Sequence, residues 1–278
     1  MAKKKNSVEK AYKNLDFLNS VDARSIRILA EFEEPKSRFE KNDIIDTIVF
    51  FGSARIKSLK EAKADLNKLK KVKDKNSRKY KRELEEAEKM LLMSRYYEDA
   101  VELSKRLTEW SMSLPVEEKR FIVCSGGGPG IMEAANMGAK KGKGKSVGIN
   151  IDLPFEQSAN LFIDHDKLIT FDHFFVRKVI FMKYAQGFIV LPGGFGTLDE
   201  LFEAITLIQT QKIGKFPIIL VGADYWGGLF EWVKEVMLKK EMNISEEDLD
   251  LYSLVDTPED AVQKIDQFYT KYLLSPNF

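Results

Sequence analysis

The residues with the clearest potential for chemistry lie in residues 187–200, which read GFIVLPGGFGTLDE. The apolar run at 188–191 predicts a buried strand that ends at Pro192. Three glycines then precede a helix that is predicted to start at Thr197: Gly193, Gly194 and Gly196. A strand, a glycine turn and a helix N-terminus together present free backbone N–H groups and the positive end of a helix dipole to an anion. This stretch therefore predicts an anion-binding site.

Glu200, in the same helix, has two interpretations. Thr197 and Glu200 form an [ST]-x-x-E capping box, in which the glutamate would only bond the backbone at the helix start. The other interpretation follows from the helical angle: at about 100° per residue, Glu200 lies roughly 140° from the centre of the apolar stripe and therefore outside the core. That predicted buried stripe consists of Leu198, Leu201, Phe202, Ile205 and Ile208.

A carboxylate beside an anion-binding turn suits one kind of reaction. It would repel the phosphate of a bound ligand and would therefore lie against the attached sugar. A ribosyl oxocarbenium ion is positive, and a carboxylate stabilises such an ion or positions the attacking water. Together with an arginine near the sugar, this layout is typical of an N-glycosidase.

Arg177 and Lys178 are two cations in the middle of a strongly apolar helix. This helix is predicted over residues 171–185 with Asp172 as its N-cap, and apolar residues surround it almost completely, which indicates burial. A buried cation needs an anionic partner, because burying an unpaired charge is costly. An internal salt bridge and a pairing with a ligand phosphate or a catalytic carboxylate are both open.

Two further predicted strands end at glycine loops. Residues 44–51 lead into Gly52 and Ser53, which form either a ligand loop or an ordinary turn between a strand and a helix. Residues 120–124 lead into SGGGPG at 125–130, and a helix is predicted over 131–139. This second loop is not the dinucleotide fingerprint, because Ile131 stands where the last glycine of that motif is needed.

The pattern of elements predicts a doubly wound, Rossmann-like parallel sheet of the α/β class with helices on both faces. Continuous apolar strands alternate with helices, and three more strands are predicted at 146–151, 168–171 and 217–222. In such sheets ligands bind outside the carboxyl ends of the strands, at the switch point. The glycine loops after Phe51, Cys124 and Leu191 should therefore converge, provided that their strands are neighbours.

The remaining segments are predicted to be helical additions. Residues 1–41 form an N-terminal helical extension with an apolar stripe at Ile26, Leu29 and Phe32, and Pro35 is expected to end its helix. Residues 42–278 form the Rossmann-like domain, with a helical insertion at about 57–95. The lysine-rich part, 57–82, is either a solvated helical face or a patch for nucleic acid or an acidic partner. It lacks aromatic residues for base stacking before Tyr80, which disfavours nucleic acid.

Composition excludes several classes of protein. The 278 residues carry a net charge of only +1, and the single cysteine, Cys124, cannot form an intramolecular disulfide and fits a reducing compartment. No apolar segment follows the basic N-terminus, and no 18 consecutive residues are apolar, so neither a signal peptide nor a membrane span is expected. His165 and His173 lack ligand spacing, so we expect no metal. We therefore expect a cytoplasmic protein without a cofactor.

Several motifs, taken together, resemble one family. Residues 192–200, PGGFGTLDE, match the PGGxGTxxE motif of the LOG family, which is named for cytokinin-activating phosphoribohydrolases, and Arg177-Lys178 fits the pair that accompanies it. SGGGPGIMEAANMGA at 125–139 and FGSAR at 51–55 are similar to its other glycine segments. The resemblance covers about 44–222. It implies a doubly wound catalytic domain, usually a homodimer, that hydrolyses nucleoside 5′-monophosphates to free base and ribose 5-phosphate, with AMP or an N6-substituted AMP as the favoured substrate.

The resemblance also implies roles for individual residues. Arg177 and Glu200 would be the catalytic pair, supported electrostatically by Lys178. Ser53 and Gly127 would lie on the ribose-phosphate side, and Met132 near the base. The implied phosphate-binding residues are Gly193, Gly194, Gly196 and Thr197.

Two other functions have been attached to this kind of sequence. Proteins of this fold include carriers of the molybdenum cofactor, so a non-catalytic nucleotide-binding or carrier protein is the alternative to an enzyme. The family has also been labelled lysine decarboxylase. The usual route to that reaction needs pyridoxal phosphate on a Schiff-base lysine with a partner for the pyridinium, and these motifs do not supply that constellation.

Overall fold

A single parallel sheet organises the chain. The computed structural model describes residues 10–72, 74–114, 120–153 and 159–271, and within them seven strands pair in one sheet. The strands are β1 (Thr47–Phe51), β2 (Ile122–Ser125), β3 (Ser146–Ile151), β4 (Leu168–Phe171), β5 (Ala185–Val190), β6 (Ile218–Val221) and β7 (Ser253–Val255). Their order is β4-β3-β2-β1-β5-β6-β7, and all neighbours are parallel. The predicted doubly wound class is confirmed.

Helices cover both faces of the sheet. The α-helices of the described residues are α1 (Leu15–Leu18), α2 (Arg24–Lys41), α3 (Leu59–Lys70), α4 (Arg78–Ser113), α5 (Ile131–Lys141), α6 (Phe174–Tyr184), α7 (Phe195–Gln209), α8 (Ala223–Trp232) and α9 (Pro258–Lys271). Alternate residues of β1 serve two cores: Val49 and Phe51 pack with α2, α6, α7 and α8, while Ile48 and Phe50 pack with α4, α5 and α9. Burial on both faces explains why the strands are continuous apolar runs.

The strand order brings the three glycine loops together. From β1 the chain winds outward through β2, β3 and β4, then returns to the other side of β1 and continues through β5, β6 and β7. β1 therefore pairs with both β2 and β5, with Val49 opposite Cys124 and Phe188. The switch point lies between β1 and β5, so the loops after β2, β1 and β5 share one edge of the sheet.

The prediction that Pro35 ends the first helix is wrong. α2 continues through Pro35 to Lys41, and Pro35 is buried. A proline inside a helix loses one backbone hydrogen bond, and tertiary packing offsets that loss here. The predicted stripe is also partly wrong, because Ile26 and Leu29 are exposed. The packed side of α2 consists of Ile28, Phe32, Pro35 and Phe39.

The helix that carries Arg177 differs from expectation in two ways. It begins at Phe174 with His173 as its N-cap, not at the predicted Asp172, and the N-cap residue makes no side-chain capping bond. It is also not fully buried, because Phe174, Phe175 and Val179 are exposed by 52%, 50% and 37%. The all-round apolar pattern therefore reflects a core face and a second, uncovered apolar face.

Smaller differences concern the insertion and the C-terminal half. The lysine-rich segment forms α3 and the start of α4, separated by a break rather than one continuous helix. The helix predicted over 225–240 is α8 followed by a π-helical segment, Val233–Lys240, and the three-residue strand β7 has no sequence prediction. The predicted end of the last helix at Tyr272 and the start of the N-terminal extension lie outside the described residues. No helix in the described part is long and apolar enough to cross a membrane.

Candidate active site

Residues 192–197, named the phosphate loop after the ligand that the sequence predicts, lead from the end of β5 into the first residues of α7. Gly194 is the N-cap of α7, and a Cβ added at Gly194 or Gly196 would meet nothing within 4 Å, so the space in front of the helix N-terminus is open. Gly193 is different, because the side chain of Thr197 lies against it and leaves no room for a Cβ. The open space and the helix N-terminus together make an anion cradle.

The capping-box interpretation of Glu200 is wrong. Since Gly194 is the N-cap, Thr197 is the third residue of α7, and no side chain caps this helix. The backbone N–H of Thr197 donates to the Gly194 carbonyl at 3.0 Å instead. Glu200 thus has no capping function, although it is buried rather than outside the core as its helical angle suggests. Phe202, predicted in the buried stripe, is 36% exposed.

Tyr225, at the start of α8, supports the phosphate loop from outside. Its hydroxyl donates to the Gly193 carbonyl at 2.5 Å. Gly222 precedes α8 with a φ of 104°, a conformation that glycine adopts readily. Sequence reasoning missed Tyr225, because its partner lies 32 residues away on another loop.

The loop after β1 connects the other two loops. The N–H of Ser53 donates to the Pro192 carbonyl at 2.9 Å, and its own carbonyl accepts from the N–H of Ile131 at 3.1 Å. Its hydroxyl accepts from the N–H of Arg55 at 3.1 Å. Ser53 therefore holds the start of α5 and the phosphate loop together through its backbone, and it lies where the sequence predicts a ligand loop.

A buried polar network fixes the loop after β2. Gly127 has a φ of 72°, its N–H donates to the Ser125 hydroxyl at 3.1 Å, and its carbonyl accepts from Asn160. Asn160 also donates to the Asn136 side-chain oxygen at 3.0 Å, which accepts from the Ser125 hydroxyl at 2.7 Å. The network holds the glycines of this loop in place through their backbone groups. Neither asparagine was singled out by the sequence.

Arg177 reaches from α6 to this loop. Its Nε donates to the Ile149 carbonyl at 2.9 Å, and its guanidinium lies 5.0 Å from the centre of the Phe181 ring. A Cβ added at Gly126 would lie 2.7 Å from Arg177 Nη2 and 2.7 Å from Met132 Sδ, so both side chains line the same glycine. Burial lowers the pKa of Arg177, and the charge of Glu200 opposes that change. An arginine stays charged even so.

Lys178 is surrounded by three carboxylates of α7. Its ammonium lies 2.6 Å from Glu203 and 2.9 Å from Asp199, and 3.6 Å from Glu200 Oε2. Burial alone would lower the pKa of Lys178, but the hydrogen bonds to Glu203 and Asp199 and the charge of Glu200 outweigh it, so that the pKa is raised. The sequence left open whether this cation pairs within the protein or with a ligand phosphate or a catalytic carboxylate. Lys178 forms internal salt bridges with Asp199 and Glu203, and it also lies beside Glu200.

Glu200 is a buried carboxylate with an unused oxygen. It is 5% exposed, and its Oε2 has no hydrogen-bond partner among the described residues, since the contact with Lys178 is an ion pair longer than a hydrogen bond. Burial raises its pKa to about 7, against the opposing charges of Lys178 and Arg177. A native buried polar atom without a partner needs an explanation, and a ligand or catalytic function is one.

The arrangement unites the predicted residues at one edge of the sheet. The β1 loop bonds both other loops through Ser53, and Arg177, from α6, lines the β2 loop beside Met132. Glu200, one turn into α7, interacts electrostatically with Arg177 and Lys178. An anion cradle, a carboxylate that can exchange a proton near neutral pH and a buried cation therefore adjoin one another. In the described part of the chain, no cluster of three or more His, Cys, Asp and Glu side chains could hold a metal.

Comparison with known proteins identifies similar chains. A family model described as possible lysine decarboxylase matches residues 132–265. A cytokinin riboside 5′-monophosphate phosphoribohydrolase of Mycobacterium tuberculosis is 37% identical over 121 residues, 42% of this chain and 62% of the relative. The protein of that name from Mycobacterium marinum is 31% identical over 147 residues, 51% of this chain and 74% of the relative. A molybdenum cofactor binding protein from Rippkaea orientalis aligns with 62% of this chain and 87% of its own at 20% identity and a TM-score of 0.44.

Proposed function

This chain belongs to the LOG family, and on that basis we propose that it hydrolyses the N-glycosidic bond of a purine nucleoside 5′-monophosphate. The products are the free base and ribose 5-phosphate, and AMP or an N6-substituted AMP is the proposed substrate. The observation that carries the proposal is Glu200, one turn beyond an open helix N-terminus, a buried carboxylate whose Oε2 accepts no hydrogen bond from the described residues. A glycosidase uses such a carboxylate to stabilise positive charge at C1′, whereas the binding of a phosphate requires only the anion cradle.

The proposed reaction divides between the two ends of the site. The 5′-phosphate binds the N–H groups at the start of α7, in the space formed by the glycines of the phosphate loop and Thr197. Ser53 and Gly127 lie on the ribose-phosphate side, and the base lies near Met132. Ionised Glu200 faces the ribose, where it stabilises the positive charge that develops at C1′ and orients water for attack. The C1′–N bond breaks with its electron pair going to the base, and the water oxygen bonds C1′. The proton that the water loses balances the proton that the departing base takes up.

The cations have different tasks in this proposal. Arg177 adjoins the loop after β2, so it assists the departing base or the ribose hydroxyls and helps to keep Glu200 ionised. Lys178 is held by Asp199 and Glu203 and supports the pair electrostatically. A pKa of about 7 lets Glu200 accept the proton of the attacking water and release it again near neutral pH.

The description of the family model as a possible lysine decarboxylase does not suit this site. That chemistry by the usual route needs a lysine amine free to form a Schiff base. Lys178, the lysine beside Glu200, is engaged by three carboxylates, and these contacts outweigh the effect of burial and keep it a cation.

We also propose that the protein is a homodimer. Phe174, Phe175 and Val179 leave an apolar face of α6 uncovered, and Phe195 of the phosphate loop is 90% exposed close to the site. Exposed aromatic side chains that cluster on one surface mark protein interfaces. A dimer in sedimentation experiments that Phe175→Asp converts to monomer would support this, and a monomeric wild type would contradict it.

A panel of nucleotides tests the proposed function. The protein is incubated with nucleoside 5′-monophosphates, including AMP and N6-isopentenyl-AMP, and free base is measured by chromatography. We expect base release from at least one purine monophosphate, and none from adenosine, because the anion cradle then binds no phosphate. Tight binding of AMP without base release over hours would overturn the enzyme and favour the carrier.

A further inference from the structure

The N-terminal extension contacts the helix that carries Arg177. Glu31, on α2, accepts hydrogen bonds from the backbone N–H of Asp172 at 2.9 Å and of His173 at 3.3 Å. Its carboxylate also accepts from His173 Nδ1 at 3.2 Å. The side chains of Glu31 and His173 are only 15% and 11% exposed, so these contacts are shielded from solvent. α2 therefore bonds the start of α6 with three hydrogen bonds.

Glu31 supplies what α6 itself lacks. His173, the N-cap residue of α6, makes no side-chain capping bond, and the N–H groups from the N-cap to the third residue of a helix have no intrahelical acceptor. A carboxylate at this end of a helix also interacts favourably with the helix dipole. Glu31 thus accepts a hydrogen bond from one of these N–H groups, that of His173, together with one from the N–H of Asp172 just before it, and it does so from an element 141 residues away in sequence.

α2 holds α6 at its other end as well. The Phe39 ring of α2 lies 4.6 Å from the ring of Tyr184, the last residue of α6. Phe39 is fully buried, and Arg38, beside it, donates to the Leu168 carbonyl of β4 at 2.5 Å. α2 therefore contacts both ends of α6 and is also bonded to strand β4 of the sheet.

We propose that α2 is a brace for α6 and that Glu31 is a positioning residue for the reaction. The proposal rests on the proposed function, because the residues it positions are Arg177 and Lys178. The N–H of Arg177 donates to the His173 carbonyl at 3.2 Å, so Arg177 lies one turn beyond the backbone that Glu31 holds. Release of that turn displaces both cations relative to Glu200. Small displacements of catalytic groups lower rates strongly.

Two variants and one control test the brace. Glu31→Gln removes the charge and Glu31→Ala removes every contact of the carboxylate. Glu33→Gln makes the same charge change on an exposed residue of the same helix and is the matched control. Each is measured by backbone hydrogen exchange over residues 170–178, by kcat and KM for base release, and by thermal unfolding.

The expected results separate positioning from folding. Exchange of the Asp172 and His173 amides, and of the Arg177 amide that donates to His173, should accelerate about 3- to 30-fold in Glu31→Ala, and less in Glu31→Gln. We expect kcat to fall about tenfold, with KM changed less than about twofold, because the phosphate loop is held by Ser53 and Tyr225 rather than by Glu31. Glu33→Gln should match the wild type in all three measurements.

Two outcomes overturn the brace. One is a folded Glu31→Ala variant with wild-type exchange over residues 170–178, and the other is faster exchange with unchanged kcat. Failure of the proposed function looks different, because the wild type itself then releases no base. The exchange measurement still decides in that case whether Glu31 holds the first turn of α6.

Discussion

Replacing Glu200 by glutamine should stabilise the protein at high pH. Glu200 is 5% exposed, and burial raises the pKa of its carboxyl group from 4.5 to about 7. A group whose pKa is raised on folding holds its proton more tightly in the folded protein. Its stabilising contribution is therefore complete below about pH 4.5 and is lost as the pH rises through about 7. Above that pH the protein keeps an ionised carboxylate in a buried place.

The size of the effect follows from the two pKa values. The difference between 4.5 and about 7 corresponds to about 3 kcal/mol, because each pKa unit is worth about 1.4 kcal/mol. Glutamine has nearly the same shape and does not ionise. The free energy of unfolding of Glu200→Gln minus that of the wild type should therefore rise by about 3 kcal/mol between about pH 4.5 and about pH 8.

Urea denaturation at the two pH values measures this difference. Glu40→Gln, which removes an exposed carboxylate on α2, is the control, and its difference from the wild type should stay within about 0.5 kcal/mol. A difference between Glu200→Gln and the wild type that does not change with pH would refute the reasoning. Glu200 would then ionise as easily in the folded protein as in the unfolded one.

Two further substitutions test the surroundings of the site. Lys178→Met removes the charge that most opposes the raised pKa of Glu200, so base release should reach its plateau at a higher pH than in the wild type. A pH profile of kcat that does not move would contradict this. Tyr225→Phe deletes the hydroxyl that holds the phosphate loop, and KM for AMP should rise about 3- to 10-fold with kcat little changed, as steady-state kinetics will show. A fall in kcat at constant KM would assign Tyr225 to the chemical step instead.

The backbone elements around the candidate site follow from local sequence and were predicted correctly. The glycine turn after β5 can be recognised from its residue types, because glycines leave the backbone N–H groups at a helix N-terminus uncovered. The convergence of the three glycine loops follows from winding rules for parallel sheets, provided that their strands are neighbours. The pairing of β1 with both β2 and β5 meets that condition. Features that depend on consecutive residues can therefore be predicted from the sequence.

The parts that depend on distant contacts were not accessible. Helical angles placed Glu200 outside the core, but they count only neighbours on its own helix, and α6 with Lys178 buries it from the other side. Glu31 and Tyr225 act on backbone groups, which leave no pattern in the sequence. The apolar surface of α6 was taken for core, because periodicity does not separate a core face from an uncovered one.

The most direct test of the central claim is the identification of both products from AMP. Wild type and Glu200→Gln are incubated with AMP, and adenine and ribose 5-phosphate are quantified together, with circular dichroism to show that the variant is folded. We predict equal amounts of the two products from the wild type and neither from Glu200→Gln. Unchanged turnover in folded Glu200→Gln would contradict the assignment of this carboxylate to catalysis.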